Sequence, residues 1–304
     1  MITAIPEPDD FIEIGLSLFN FAWDTVATLI TDLDDSEYFG VDVQEVSDAF
    51  WQASKQKLST SLAVAQQGVE FLLKGRIASV SPFLLISGGL NEWPKKCDKN
   101  NTNFADFRTI DAQDLIKVHN TTAIQRLSDE FIAKYEDLRK KRNSIMHTVD
   151  KRIDLHVIDV VTAILSMHKL LFPHENWIQT RREYLKKSPI AELHSTDFVE
   201  PRIIWEFSLI TELLKPKHMR EFFEFNKRQR RYICPHCNHE SGEAETRPRT
   251  AILAPNTPSS TTLYCFVCEL EMDVKRMDCE DPECPGNVIS QDHEICATCG
   301  RHLG

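Results

Sequence analysis

Eight cysteines in four close pairs between residues 234 and 299 limit what the end of this chain can become. They read Cys234-Pro-His-Cys237, Cys265-Phe-Val-Cys268, Cys279 with Cys284, and Cys296-Ala-Thr-Cys299. A hairpin of this spacing aims two thiolates at one ion, and two hairpins complete a tetrahedron. Few apolar residues surround them, so a bound ion is expected to supply folding free energy that the segment lacks. The spacing predicts two structural zinc ions. Cys234, Cys237, Cys265 and Cys268 are assigned to one, and Cys279, Cys284, Cys296 and Cys299 to the other, with cross-braced pairing as the alternative. Closed four-sulfur sites keep no position for water, so neither ion is expected to be catalytic. His236, His239, His293 and His302 are further potential ligands that two complete sets do not require. Cys97 stands apart as an ordinary thiol.

The rest of the chain reads as helical. Apolar residues recur at three and four spacing in Phe11–Ile30, Val41–Gly75, Ala123–Met146, Leu155–Phe172, Pro201–Leu214 and His218–Phe225,. Asp111 is placed to cap a short helix running to about His119, and Thr122 with Gln125 has the capping-box pattern that starts the next. Asn91–Asn103 breaks the periodicity and is read as an exposed loop. At Lys227–Arg231 the text turns to Lys-Arg-Gln-Arg-Arg, and cysteine pairs, Pro and Gly follow. The expected fold class is therefore mainly α. A helical domain over 1–230 is followed by a small zinc-ribbon module with short β-hairpins over 231–304.

Charge is unevenly spread. Within a net −11, residues 1–60 balance at −10, residues 61–233 at +6 and residues 234–304 at −7. A polyanion would be drawn to the middle of the chain, whereas the acidic cysteine module is better suited to a protein trigger or regulator. The acidic first ten residues do not read as a secretory signal. The best apolar run found, Val157–Leu165, is too short for a membrane span and is interrupted by Asp159. A cytoplasmic location without membrane attachment is the expectation. Neither a phosphate-cradling Gly-rich loop nor an H-E-x-x-H motif is present,.

The informative stretch is Tyr135-Glu-Asp-Leu-Arg139-Lys-Lys-Arg142-Asn143-Ser-Ile-Met-His147. Leu127, Phe131, Leu138 and Ile145 make its apolar stripe, and Arg139, Asn143 and His147 make a polar row on the other side. Arg142 and His147 are five apart, about 140° around an ideal helix, so one helix alone makes a poor catalytic pair. Upstream, Gly68-Val-Glu70-Phe-Leu-Leu-Lys74 is followed by Ser81-Pro-Phe-Leu-Leu. With Arg142-Asn143-x3-His147, this pattern resembles the HEPN superfamily of helical domains over residues 41–175. The cysteine module is not part of that resemblance.

The resemblance implies metal-independent cleavage of RNA, in tRNA or mRNA, through the RNA's own 2′-hydroxyl, leaving 2′,3′-cyclic phosphate ends. His147 would move the proton, Arg142 would hold the scissile phosphate, and Asn143 would orient phosphate or imidazole. Lys74, oriented by Glu70, would add positive charge, and Arg139, Lys140 and Lys141 would track the substrate. One copy per chain implies a homodimer, and the family suggests a toxin or antiphage effector. The alternative is a non-catalytic adaptor that binds RNA, nucleotide or a protein partner. Taken singly, Glu70–Lys74 is also an ordinary i,i+4 pair, and basic residues near a helix C-terminus are favoured by its dipole.

Overall fold

The computed structural model describes residues 1–147, 154–193, 195–242 and 248–302, without the side chain of His147. The chain is mainly helical, with a small antiparallel sheet in its cysteine-rich end. It divides into two compact units, Met1–Pro173 and His174–Gly304.

Unit 1 is organised around a helical hairpin, α1 (Pro8–Tyr38) and α2 (Val43–Ala78). Pro8 sits in the first turn of α1, where its missing N–H costs nothing,. The Glu7 N–H donates to the Asp10 carboxylate at 2.8 Å, closing the start of the helix. Asp42 caps α2 by accepting from the Gln44 N–H at 2.9 Å,. Gly40, at φ +78°, makes the left-handed turn between the two helices,. They then run together at unusually short range. A Cβ on Gly15 would lie 2.9 Å from the Gly68 carbonyl oxygen, and one on Gly68 would lie 2.7 Å from Phe19 Cδ1. These glycines let the backbones meet.

Three further helices, α3 (Ala112–Thr122), α4 (Asp129–His147) and α5 (Val157–Leu171), pack against α2. Phe19 and Trp23 of α1, Leu62, Val69 and Leu73 of α2, Phe131 and Tyr135 of α4 and Ile164 of α5 are buried together in this core. Each such side chain contributes roughly 1.5–3 kcal/mol. The start of α4 differs from the capping-box reading at Thr122. Thr122 ends α3, its hydroxyl donating back to the Val118 carbonyl at 2.8 Å. Ser128 starts α4 instead, its Oγ accepting from the Phe131 N–H at 3.1 Å. The buried stripe of α4 runs through Phe131, Tyr135 and Leu138, whereas Ile145 is only half-buried.

α1, rather than Val157–Leu165, is the described helix whose length and composition would allow it to cross a membrane; half of its apolar window is buried inside unit 1. Strands β1 (Ile2–Thr3) and β2 (Thr102–Asn103) pair in parallel. The segment after β2 returns alongside residues 85–87. The Ile110 N–H donates to the Leu85 carbonyl at 2.9 Å, and the Ser87 N–H to the Arg108 carbonyl at 2.8 Å. That pairing places Thr109 and Asp111 near the C-terminal half of α2.

Unit 2 contains α6 (Trp177–Lys186), α7 (Pro189–Leu193), α8 (Val199–Leu213), α9 (Pro216–Phe223) and α10 (Pro235–Glu240). Its sheet has the order β3 (Ala251–Leu253), β4 (Thr262–Cys265), β5 (Glu271–Lys275), β6 (Ile289–Ser290), all antiparallel. Helices from 174–230 pack with the cysteine module. The Phe266 ring lies 5.4 Å from Phe223 and 4.7 Å from Phe225, and Arg182 donates to the Val267 carbonyl. The change of composition at 230/231 therefore falls inside this compact unit. At its centre the fully buried Arg181 pairs with Glu206, which Arg202 also contacts, at 2.9 and 2.8 Å.

Candidate functional site

A polar cleft of about 390 Å³ in unit 1 gathers side chains from α2, α4 and the segment leading into α3. Glu70 and Lys74 come from α2, and Arg139, Arg142 and Asn143 from α4. Thr109, Asp111 and Gln113 form the third wall. Glu70 and Lys74 are one helical turn apart and so share a face of α2. The apolar positions Phe131, Tyr135 and Leu138 seat α4 on the core and leave Arg139, Arg142 and Asn143 on its exposed side.

Each of these groups is held. The Gln66 amide donates to Glu70 Oε1 at 2.8 Å, and Lys74 Nζ donates to Thr109 Oγ1 at 3.1 Å. Lys74 also lies 5.5 Å from the Phe71 ring centroid. Burial pushes the Lys74 ammonium below its ordinary range, partly offset by Glu70 and Asp111. Arg139 donates twice to Glu136 Oε2, at 2.8 and 3.2 Å, and this bond holds its guanidinium above the ordinary value. Arg142 donates to Asn143 Oδ1 at 3.1 Å. A guanidinium of this kind can hold a phosphate or carboxylate through two parallel N–H donors. Behind the cleft, the buried Tyr135 hydroxyl donates to the Ala112 carbonyl at 2.8 Å, and burial together with the nearby Glu70 charge raises its pKa.

Five residues singled out in the sequence thus line one cleft: Glu70, Lys74, Arg139, Arg142 and Asn143. Lys141 does not join them. It pairs with Asp137 at 2.8 Å and lines a different groove with Lys134 and Leu62. Lys140 is exposed and is not among the cleft residues. His147 is the last residue of α4, and its side chain lies outside the described residues. Thr109, Gln113 and Gln66 were not legible as site residues, because no motif marks them. Asp111 was read only as a cap, and it does stand at the N-cap of α3, but its carboxylate pairs with Arg108 at 2.8 Å and makes no side-chain cap bond.

The basic run at 227–231 is engaged structurally. Lys227 Nζ donates to the carbonyls of Glu212 and Leu214, at 3.0 and 3.2 Å, at the end of α8. Arg231 pairs with Glu212, and Arg230 lies over the Tyr232 ring.

The eight paired cysteines form two groups of four, Cys234, Cys237, Cys265 and Cys268, and Cys279, Cys284, Cys296 and Cys299. This is the sequential pairing. Facing sulfurs stand 3.7 Å apart in the first group and 3.8 and 3.9 Å apart in the second. These separations are far too long for disulfides, whose sulfurs lie about 2 Å apart. Four sulfurs at about 2.3 Å from a tetrahedral ion stand about 3.8 Å from one another, so both groups fit such an ion. The Cys237 N–H donates to Cys234 Sγ at 3.3 Å, and Thr250 Oγ1 lies 3.2 Å from Cys265 Sγ, a surrounding shell that orients the thiolates. Gly286 is required beside the second group, since a Cβ there would lie 2.9 Å from Cys296 Sγ.

No protein-family model, curated protein or solved structure matches this chain.

Proposed function

We propose that unit 1 is a metal-independent endoribonuclease of the HEPN type, and that each four-cysteine group of unit 2 holds a structural Zn2+. The observation that carries the ribonuclease reading is the convergence of α2 and α4. Glu70 and Lys74 meet Arg142 and Asn143 in one cleft although the two pairs are far apart in sequence. A set of surface charges with no common purpose has no need to converge in this way.

In the proposed reaction the ribose 2′-oxygen attacks the adjacent phosphorus and the bond from phosphorus to the 5′-oxygen breaks. The 2′-hydroxyl proton is removed and a proton is delivered to the leaving 5′-oxygen. The products carry 2′,3′-cyclic phosphate and 5′-hydroxyl ends. Arg142 and Lys74 stabilise the charge that builds on the phosphorane oxygens, and Asn143 orients the phosphate. Thr109 holds Lys74 in place, and the Glu70 charge favours its ammonium form. His147 is assigned the proton transfer, since imidazole titrates near neutral pH. A second copy of the chain supplies the opposing set of groups, so the active form is a homodimer. The toxin or antiphage role rests on the HEPN resemblance.

The test uses the full chain with Arg142→Ala and Lys74→Ala variants, incubated with tRNA and with total RNA. Removing a group that stabilises developing charge should slow cleavage by about 100-fold or more. Cleavage undiminished in both variants contradicts the assignment of the cleft.

A further inference from the structure

We propose that His236, His239 and His293 form a third metal site, apart from the two cysteine groups. It takes a divalent ion of the zinc, nickel or copper class through imidazole nitrogen and keeps a position open to water.

His236 and His239 are three apart on α10 and so share one face of it,. His293 approaches from the loop that precedes Cys296. Its ring centroid lies 5.5 Å from that of His239 and 6.2 Å from that of His236. Two imidazoles on one tetrahedral ion, bound at about 2.0–2.1 Å, have centroids about 5 Å apart. Both observed separations are within about an ångström of that value. The four-cysteine groups have their ligand atoms within 4.8 Å of one another, whereas the histidine nitrogens as placed do not, so the proposed site requires the rings to turn inward when the ion binds. Space permits it, because His239 is exposed and His236 and His293 are half-buried.

The surroundings suit an ion. Beside His239 and His293 a cavity of about 610 Å³ is also lined by His302, Asp292 and Glu294, with His236 outside its lining. Its carboxylates supply negative charge, and its volume admits a water ligand. Neutral imidazole is a favoured ligand of zinc, copper and nickel. Both ligand sources are fixed by the cysteine groups, α10 through Cys234 and Cys237 and the His293 loop through Cys296. An ion here ties one cysteine group to the other. Being solvent-open, it exchanges with ambient metal more readily than the closed four-sulfur sites. This inference is independent of the ribonuclease reading.

The experiment uses the full zinc-loaded protein, dialysed against buffered micromolar free zinc and counted by elemental analysis. The wild type is expected to hold three zinc ions per chain, and the double variant His236→Gln/His293→Gln two. His239→Ala, at an exposed position, should weaken the third site at least about tenfold, since even an outer partner is worth that much. Cobalt added to the zinc-loaded wild type should give visible d–d bands without thiolate charge transfer. Two zinc ions in the wild type would overturn the proposal. So would a third ion retained with undiminished affinity in both variants, or a cobalt spectrum dominated by thiolate charge transfer. A double variant that holds two ions has kept its cysteine sites, which separates loss of the histidine site from unfolding.

Discussion

Replacing Gly68 by alanine sets two effects of opposite sign against each other. Helix propensity favours the change, because alanine in a helix interior is better than glycine by about 1 kcal/mol. Packing opposes it. The new Cβ would lie 2.7 Å from Phe19 Cδ1, 2.9 Å from the Gly15 carbonyl oxygen and 3.0 Å from Phe19 Cε1. Phe19 is fully buried and cannot swing into solvent, and the Gly15 oxygen belongs to a helix backbone. The two helices must move apart, and overpacking of this kind costs roughly 1–3 kcal/mol, with the upper half expected where backbone has to shift. The net expectation is a destabilisation of about 1–2 kcal/mol. Gln67→Ala, one position away and exposed, should stay within about 0.5 kcal/mol of the wild type,. Native-state hydrogen exchange on peptides from α1 and α2 reads the opening free energy of this hairpin separately from unit 2. A Gly68→Ala protein more stable than the wild type would show that propensity governs the site and that the helices do not meet at Gly15 and Gly68. The positions of Glu70 and Lys74, carried on the same helix, would then need to be redrawn.

Three other outcomes follow from named contacts. Burial holds His168 at a pKa of about 4, below its unfolded value near 6.5, so the unfolded chain takes up the proton first as pH falls,. The stability of unit 1 should therefore be complete above about pH 6.5 and decline toward pH 4, with about 2 kcal/mol lost by pH 5; a His168→Gln protein with the same decline in urea titrations would refute this. Lys227→Met removes charged donors from the carbonyls at the end of α8 and should lower the stability of unit 2 by about 1–2 kcal/mol in thermal melts,. An unchanged melting profile would assign Lys227 no capping role. Prolonged chelation should unfold the cysteine module while the α1–α2 hairpin keeps its exchange protection, since structural zinc in such modules contributes on the order of 10 kcal/mol to folding. Retention of the β4–β5 amide protection after complete metal loss would contradict that dependence.

The cysteine groups were legible in the sequence because close pairs in a short, apolar-poor segment permit few arrangements, and the geometry chose sequential over crossed pairing. The meeting of Glu70 and Lys74 with Arg142 and Asn143 was expected only through the HEPN resemblance, since periodicity on two separate helices does not say which faces meet. Less of unit 2 could be read. α6 was missed because Arg181 and Arg182 occupy buried positions among Trp177, Ile178 and Leu185, and so interrupt the apolar pattern. What allows Arg181 to be buried is Glu206, in another helix, which a local reading does not see. The start of α4 was misread because Thr122-x-x-Gln125 imitates a capping box while Thr122 is still inside α3. Lys141 was grouped with its basic neighbours, yet helical rotation turns it toward Asp137. Thr109 and Asp111 reach the cleft through long-range backbone pairing, which side-chain periodicity does not encode.

The most direct test of the ribonuclease assignment compares the purified wild type with its His147→Ala variant on tRNA and total RNA. Exposure to EDTA should be brief, so that the cysteine sites stay loaded, and the product ends are then mapped. The account predicts cleavage by the wild type, 2′,3′-cyclic phosphate and 5′-hydroxyl ends, and loss of that activity in the variant. Equal cleavage by both proteins, or no cleavage by a wild type shown to be dimeric and metal-loaded, would contradict it.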